Sequence, residues 1–202
     1  MTTPAFTRLD VDERRRQLLE AAARAFTERA YDEVSMADLA RAAGISKGLL
    51  YHYFPSKRDL FTATLAAAAA ELAAVTEPDP GLPPVEQLTK SVGAYLAWIE
   101  ENAPSYRRVL ESTGSPDVGS LVEEVRGRTV ERIVAGVSEG EPRPALRVSV
   151  RAWLSGMDAA ILDWLDTSGV TRDQLRDLLV ATFVGALGAA RHVDPAVELT
   201  VG

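Results

Sequence analysis

The side chains in this chain best suited to chemistry are hydrogen-bond donors, and they gather in one stretch. Ser35 to Lys57 reads SMADLARAAGISKGLLYHYFPSK. Ser35 and Ser46 each stand just before a short apolar pattern. Each is therefore expected at a helix N-terminus, where free N–H groups and the positive end of the dipole favour phosphate. Tyr51 and Tyr53 can donate phenolic hydroxyls to phosphate oxygens, and His52 can do so when it keeps an N–H outward. Lys57 can clamp a backbone phosphate. Packing is the competing use of the tyrosines. Leu50 and Phe54 already take the core spacing, which should leave one of Tyr51 and Tyr53 exposed. This is chemistry for holding a polyanion, not for making or breaking bonds.

The elements that position these donors follow from the same residues. Ser35 is a good N-cap, and Asp38 can reach back to it as a capping box. Leu39, Ala40 and Ala43 mark one buried stripe. Gly44 falls where the first helix must stop and turn sharply, a place where positive φ is cheap only for glycine. Ile45 can plug the space between the helices, and Ser46 caps the second. Pro55 ends that helix, because the residue before a proline avoids the α region. Ser56 to Asp59 caps the next one. Two short helices joined by a glycine turn describe a helix-turn-helix, whose second helix usually enters the DNA major groove.

The stretch resembles the DNA-binding domain of the TetR family of bacterial transcriptional regulators. The resemblance covers about residues 12–62. It starts with an amphipathic helix ending in Ala25-Phe26 and continues through Tyr31-Asp32-Glu33-Val34-Ser35-Met36-Ala37-Asp38-Leu39-Ala40. Further on it includes Ala43-Gly44-Ile45-Ser46-Lys47-Gly48, Leu50-Tyr51-His52-Tyr53-Phe54 and Ser56-Lys57-Arg58-Asp59-Leu60. It implies that Lys47, Gly48 and Leu49 lead the recognition helix. Lys47 would reach guanine N7 or O6, or a phosphate; Gly48 would allow close approach to the bases; Leu49 would touch a thymine methyl. Ala37 departs from relatives that carry a longer polar side chain there, so no base contact is expected from the first motif helix. Arg41 is expected to be solvated or to face phosphate. The resemblance also implies a homodimer built by the last two long helices, and a small-molecule inducer bound in the C-terminal part that loosens DNA binding.

Composition agrees. Net charge is −7, which argues against indiscriminate coating of nucleic acid. Residues 1–62 carry ten Lys and Arg against nine Asp and Glu, and the remainder twelve against twenty, so the motif lies in the only part that is not strongly acidic. The chain has no cysteine, which excludes disulfides, thiol catalysis and Cys-based zinc sites. A cytoplasmic location is natural for such a chain. The N-terminus has no apolar signal segment, and the weakly polar run from Ala63 to Val75 is too short to span a bilayer. A nucleophile elbow, Walker loop, HExxH and glycine-rich dinucleotide turn are all missing, and the two histidines, His52 and His192, lie far apart in sequence. An enzyme, a metal site and a cofactor are therefore not expected.

The rest reads as helix after helix, an all-α fold of about nine helices. The first runs over roughly 12–30, the fourth over 57–75 and the fifth to about 102. Shorter and longer ones begin at 104 and 118, and the last two end near 166 and 191. Glu77 to Pro84 is the clearest linker. The expected organisation is a three-helix reader over 1–62, with residues 1–11 flexible, and a helical sensing and dimerisation domain over 63–202. Tyr95, Trp98, Tyr106, Trp153, Met157 and Trp164 could line a largely apolar effector pocket between helices, although such stripes are more often core. Asp158 and Asp163 would favour a cationic ligand if they pointed inward, the commoner alternatives being solvent or an arginine. Ile161, Trp164, Leu179, Phe183, Ala186, Leu187 and Ala190 form wide apolar faces that suit either a dimer interface or the intramolecular core. A ligand-independent architectural protein and an activator remain as alternatives on the same scaffold.

Overall fold

The structure, a computed structural model, describes residues 11–200. The expectation of flexibility falls on residues 1–10, outside the described residues, except for Val11, which already begins a helix. Among the described residues nine α-helices follow in order: α1 (Val11–Glu28), α2 (Met36–Ala42), α3 (Lys47–Tyr53), α4 (Lys57–Val75), α5 (Pro84–Glu101), α6 (Ala103–Glu111), α7 (Pro116–Val137), α8 (Pro144–Asp166) and α9 (Arg172–Val193). Among the described residues the one β pairing is an isolated bridge between Ser138 and Leu199.

Local chemistry sets the boundaries. The hydroxyls of Ser35, Ser46 and Ser56 accept the backbone N–H groups of Asp38, Leu49 and Asp59 at 3.1–3.2 Å, capping α2, α3 and α4. Pro84, Pro116 and Pro144 open α5, α7 and α8, where a missing N–H costs nothing. Gly44 turns the chain between α2 and α3 at φ +66°, a left-handed conformation that a β-carbon would strain.

Two apolar cores result. The first gathers Leu18, Phe26, Tyr31, Leu39, Leu50, Phe54, Leu60 and Phe61 from α1–α4 and the turn at 31–33. It also takes Val118 and Leu121 from α7, at 0% and 6% exposure. The reader is therefore not closed at residue 62, because the first two turns of α7 plug its core. The second core joins α5, the later part of α7, α8 and α9 through Leu96, Ile99, Val134, Val150, Ile161 and Phe183.

Polar ties reinforce the junction. Arg58 Nη1 lies 2.6 Å from Asp117 Oδ1 at the start of α7. The Thr27 and Ser105 hydroxyls are 2.7 Å apart between α1 and α6, and Arg108 Nε donates to the Thr27 carbonyl at 3.4 Å. Beyond α9 the chain folds back on the α7–α8 corner. Glu139 N–H donates to Glu198 O and Thr200 N–H to Val137 O, both at 3.0 Å, and Val197 is buried there. Sequence periodicity ends at α9 and carries no sign of this clasp.

Candidate nucleic-acid interface

α3 turns one face inward and leaves the rest to solvent. Leu50 is buried, while Lys47, Gly48, Leu49, Tyr51 and His52 are exposed. Leu49 and Tyr51 keep 40% and 42% of their surface. A β-carbon at Gly48 would meet nothing within 4 Å, so internal packing does not require a glycine there. Lys47 Nζ rests 5.7 Å from the Tyr51 ring centroid, and the exposed His52 lies edge-on to Tyr53 at 5.7 Å. Tyr53 is half-buried against the reader core. Of the two tyrosines, Tyr51 is the exposed one.

Two expected phosphate contacts are corrected. Lys57 is turned inward. Its Nζ donates to the Tyr31 carbonyl at 2.9 Å and sits 4.2 Å over the Tyr31 ring, so the ammonium fastens α4 to the turn before α2. At the α2 N-terminus the anion seat is already filled. Ser35 donates its hydroxyl to Asp38 Oδ2 at 2.6 Å and its N–H to the same oxygen at 3.1 Å. A resident carboxylate repels phosphate, so Ser35 caps the helix and is a poor phosphate ligand. Arg41 Nη1 pairs with Asp38 Oδ1 at 3.0 Å and otherwise projects into solvent. Ser46 has no such carboxylate within its cap, and its hydroxyl accepts only Leu49 N–H.

The C-terminal aromatics do not converge on one site. Trp153 lies tilted against Phe183, with ring centroids 4.6 Å apart, and donates to Leu179 O at 3.1 Å, and Met157 is buried in the same core. Trp164 donates to Val170 O at 2.9 Å, tying down the α8–α9 loop. Trp98 Nε1 is buried without a partner among the described residues. Tyr95 and Tyr106 do come together. Tyr106 donates to Asp158 Oδ1 at 2.8 Å, and burial pushes the hydroxyl pKa of both tyrosines upward. Asp158 points inward as the cationic-ligand option required, and an arginine, Arg126, already holds it at 2.5 Å; Asp163 is exposed. Two shallow, open hollows lie elsewhere. One of about 230 Å³ sits between α1 and α2, and one of about 330 Å³ sits between Tyr31 and Arg108.

The residues expected at a dimer interface need correction. Ile161, Leu179, Phe183, Leu187 and Ala190 are at most 3% exposed, because α8 and α9 pack these faces on each other and on α5. Trp164 and Ala186 are half-buried. The chain's own core has taken up this face. The opposite face carries Ala152, Gly156 and Ala159 on α8, and Ala181, Gly185 and Gly188 on α9, all exposed and at helical spacing.

Comparison with known proteins decides the family. Residues 18–64 match the model described as bacterial regulatory proteins, tetR family, and residues 84–186 match the tetracyclin repressor-like C-terminal domain. A tetR-family transcriptional regulator from Streptomyces coelicolor has the same fold, with a TM-score of 0.74 and 32% identity, covering 93% of this chain and 86% of that one. This chain belongs to the tetR family. The transcriptional activator FasR of Mycolicibacterium smegmatis is 36% identical over 124 residues, 57% of this chain and 55% of that protein. A transcriptional repressor of Mycobacterium tuberculosis is 40% identical over 62 residues, 31% of this chain and 33% of that one. The chain thus spans little more than half the length of FasR and a third of the repressor.

The tetR-family reader should lose stability in acid through one carboxyl, Asp38. The Ser35 hydroxyl, then the Ser35 N–H, Arg41 and Arg29, hold the Asp38 carboxyl down at about 2 from an ordinary 3.8. A carboxyl depressed by folding contributes stability that is complete above its unfolded pKa and is lost as pH falls through its folded pKa. The reader's melting temperature should therefore drop between about pH 4 and pH 2. Ser35→Ala should flatten part of that drop, in thermal melts followed by circular dichroism across the range. An equally steep fall in the variant would show that Asp38 is not its source.

Proposed function

We propose that this chain is a dimeric, cytoplasmic transcriptional regulator that binds a palindromic operator with α3 of each copy. In this reading it is a repressor released by a small, largely apolar effector in the domain formed by residues 63–202. The observation that carries it is the exposed edge of α3, with Lys47, Gly48, Leu49 and Tyr51 turned to solvent on a helix fixed by Leu50 and two caps. Lys47 serves as the base or phosphate donor, Leu49 as a thymine-methyl contact, and Ser46, Tyr51, His52 and Tyr53 as phosphate donors. One reader covers a half-site, so two copies are needed about 34–36 Å apart. The second copy docks on the exposed small-residue stripe of α8 and α9. The work is binding, not catalysis, in line with FasR and the Mycobacterium tuberculosis repressor, both named as transcriptional regulators.

Selection of DNA from a random pool tests this directly. One enriched palindrome bound by a dimer is expected. Enrichment of nothing, with only weak salt-sensitive binding, sinks the reading. On the selected operator, Lys47→Ala should cost about 1–3 kcal/mol concentrated at one base position if Lys47 reads a base. A uniform loss with a shallower salt slope assigns it to phosphate.

Two variants of this reading have specific support. FasR is named an activator, and the sign of regulation depends on where the operator lies. The filling of the α5–α9 core by Trp153, Met157 and Phe183 favours a ligand-independent binder. An effector screen against the operator complex separates the latter from the repressor reading.

A further inference from the structure

Three helices meet at one carboxylate. Asp158, midway along α8, accepts the Tyr106 hydroxyl of α6 at 2.8 Å and the Arg126 guanidinium of α7 at 2.5 Å. Both side chains of this ion pair are 18% exposed, making it the most sheltered pair among the described residues. Arg126 has a second partner: its other terminal nitrogen also pairs with Glu123, one turn earlier on α7 and 55% exposed. Arg151 reaches the same Glu123 at 3.3 Å. Asp158 has no such reserve, since without Arg126 it keeps only the neutral Tyr106 donor.

This asymmetry selects the charge of an incoming molecule. An anion that captured Arg126 would strand Asp158 as a sheltered carboxylate with no cation, a costly state. A cation that captured Asp158 would leave Arg126 on Glu123 at the rim, so every charge stays paired. The Tyr95 and Tyr106 rings beside Asp158 suit a cation, and burial keeps both phenols neutral.

We propose that Asp158 is the recognition carboxylate for an organic cation, a protonated amine or amidine on an apolar body, which displaces Arg126 onto Glu123. The proposal rests on the ligand-released reading and names its ligand class. It also supplies a route to the reader. Tyr106 is flanked on α6 by Ser105 and Arg108, the two residues that hold Thr27 of α1. A ligand that replaces Arg126 at Oδ2 shifts the carboxylate whose Oδ1 holds Tyr106, and α6 passes that shift to α1 through Ser105 and Arg108.

The full-length protein, free and bound to its selected operator, should be titrated with n-octylammonium and phenethylammonium. Octanol, 2-phenylethanol, octanoate and 3-phenylpropanoate serve as matched neutral and anionic probes. The expected result is calorimetric binding of the cations alone, with release of the operator. Asp158→Asn, which keeps the shape and an acceptor for Tyr106, should weaken cation binding by about tenfold or more. Glu123→Gln, a change at the exposed rim, should weaken it as well, by removing the refuge of Arg126. Binding of the neutral or anionic probes in place of the cations overturns the charge assignment and leaves ligand release standing. Cation binding that is unchanged in both variants, or no binding of either cation, overturns the site. Cation binding that leaves operator affinity unchanged upholds the site and sinks the ligand-release reading.

Discussion

Phe61→Ala is expected to unfold the DNA reader while the α5–α9 core still stands. Phe61 lies on α4 at 3% exposure, edge-on to Phe26 at 4.9 Å and tilted against Tyr31 at the same distance. These three rings join α4, α1 and the turn before α2, so they set the platform on which α2 and α3 rest. Truncating a buried Phe to Ala typically costs about 3–5 kcal/mol, against a whole-domain stability of roughly 5–15 kcal/mol. Operator binding should disappear at 37 °C. Thermal melting should split into an early and a late transition, since the second core shares none of the three rings. A single, barely shifted transition would show that the two cores melt as one unit through Val118 and Leu121, with little strain from the lost ring.

Gly185→Glu should abolish high-affinity operator binding without harming the fold of a single copy. A β-carbon at Gly185 would meet nothing within 4 Å, and the position is exposed on α9. Within one chain the change even favours the helix, because glycine is about 1 kcal/mol worse than alanine in a helix interior. Between two copies the effect reverses. Ala152, Gly156, Ala159, Ala181, Gly185 and Gly188 form a nearly flat stripe, and a glutamate in its middle would have to be buried without a partner. A dimer that loses its second reader loses the gain from linking two half-sites, roughly 10²–10⁴-fold in affinity. Analytical ultracentrifugation should find a monomer with unchanged helicity and a raised melting temperature per copy. A dimer that persists would move the interface elsewhere.

The helix-turn-helix was legible because its signals are local. Ser35, Asp38, Gly44, Ser46 and Pro55 act within three or four residues of themselves, and the structure realises each cap and turn. The choice of Tyr51 over Tyr53 as the exposed ring was not legible. It depends on the side of α3 that the core approaches, which spacing from Leu50 and Phe54 narrows only to one of two. Lys57 misled because a lysine at a helix start suits a phosphate and a neighbouring carbonyl equally well, and the Tyr31 carbonyl lies 26 residues away in sequence.

The C-terminal half shows the same divide on a larger scale. Apolar periodicity marked α8 and α9 and their wide apolar faces. It could not say whether α5 or a second copy covers Leu179 and Phe183, since both coverings bury the same residues. In the folded chain α5 covers them, and the small residues left behind, Gly156 and Gly185 among them, become the free face. Asp158 shows the limit most clearly. Its sequence neighbours favoured solvent or an arginine over a cationic ligand and named no partner. Only the meeting of α6, α7 and α8 places Tyr106 and Arg126 on it. By itself the amino-acid order determined helix boundaries, caps, the turn and the family, because these depend on bonds within one or two turns. Burial, pairing and the identity of the free surface were decided by tertiary structure, because they depend on which of several equally apolar or charged partners the fold brings near.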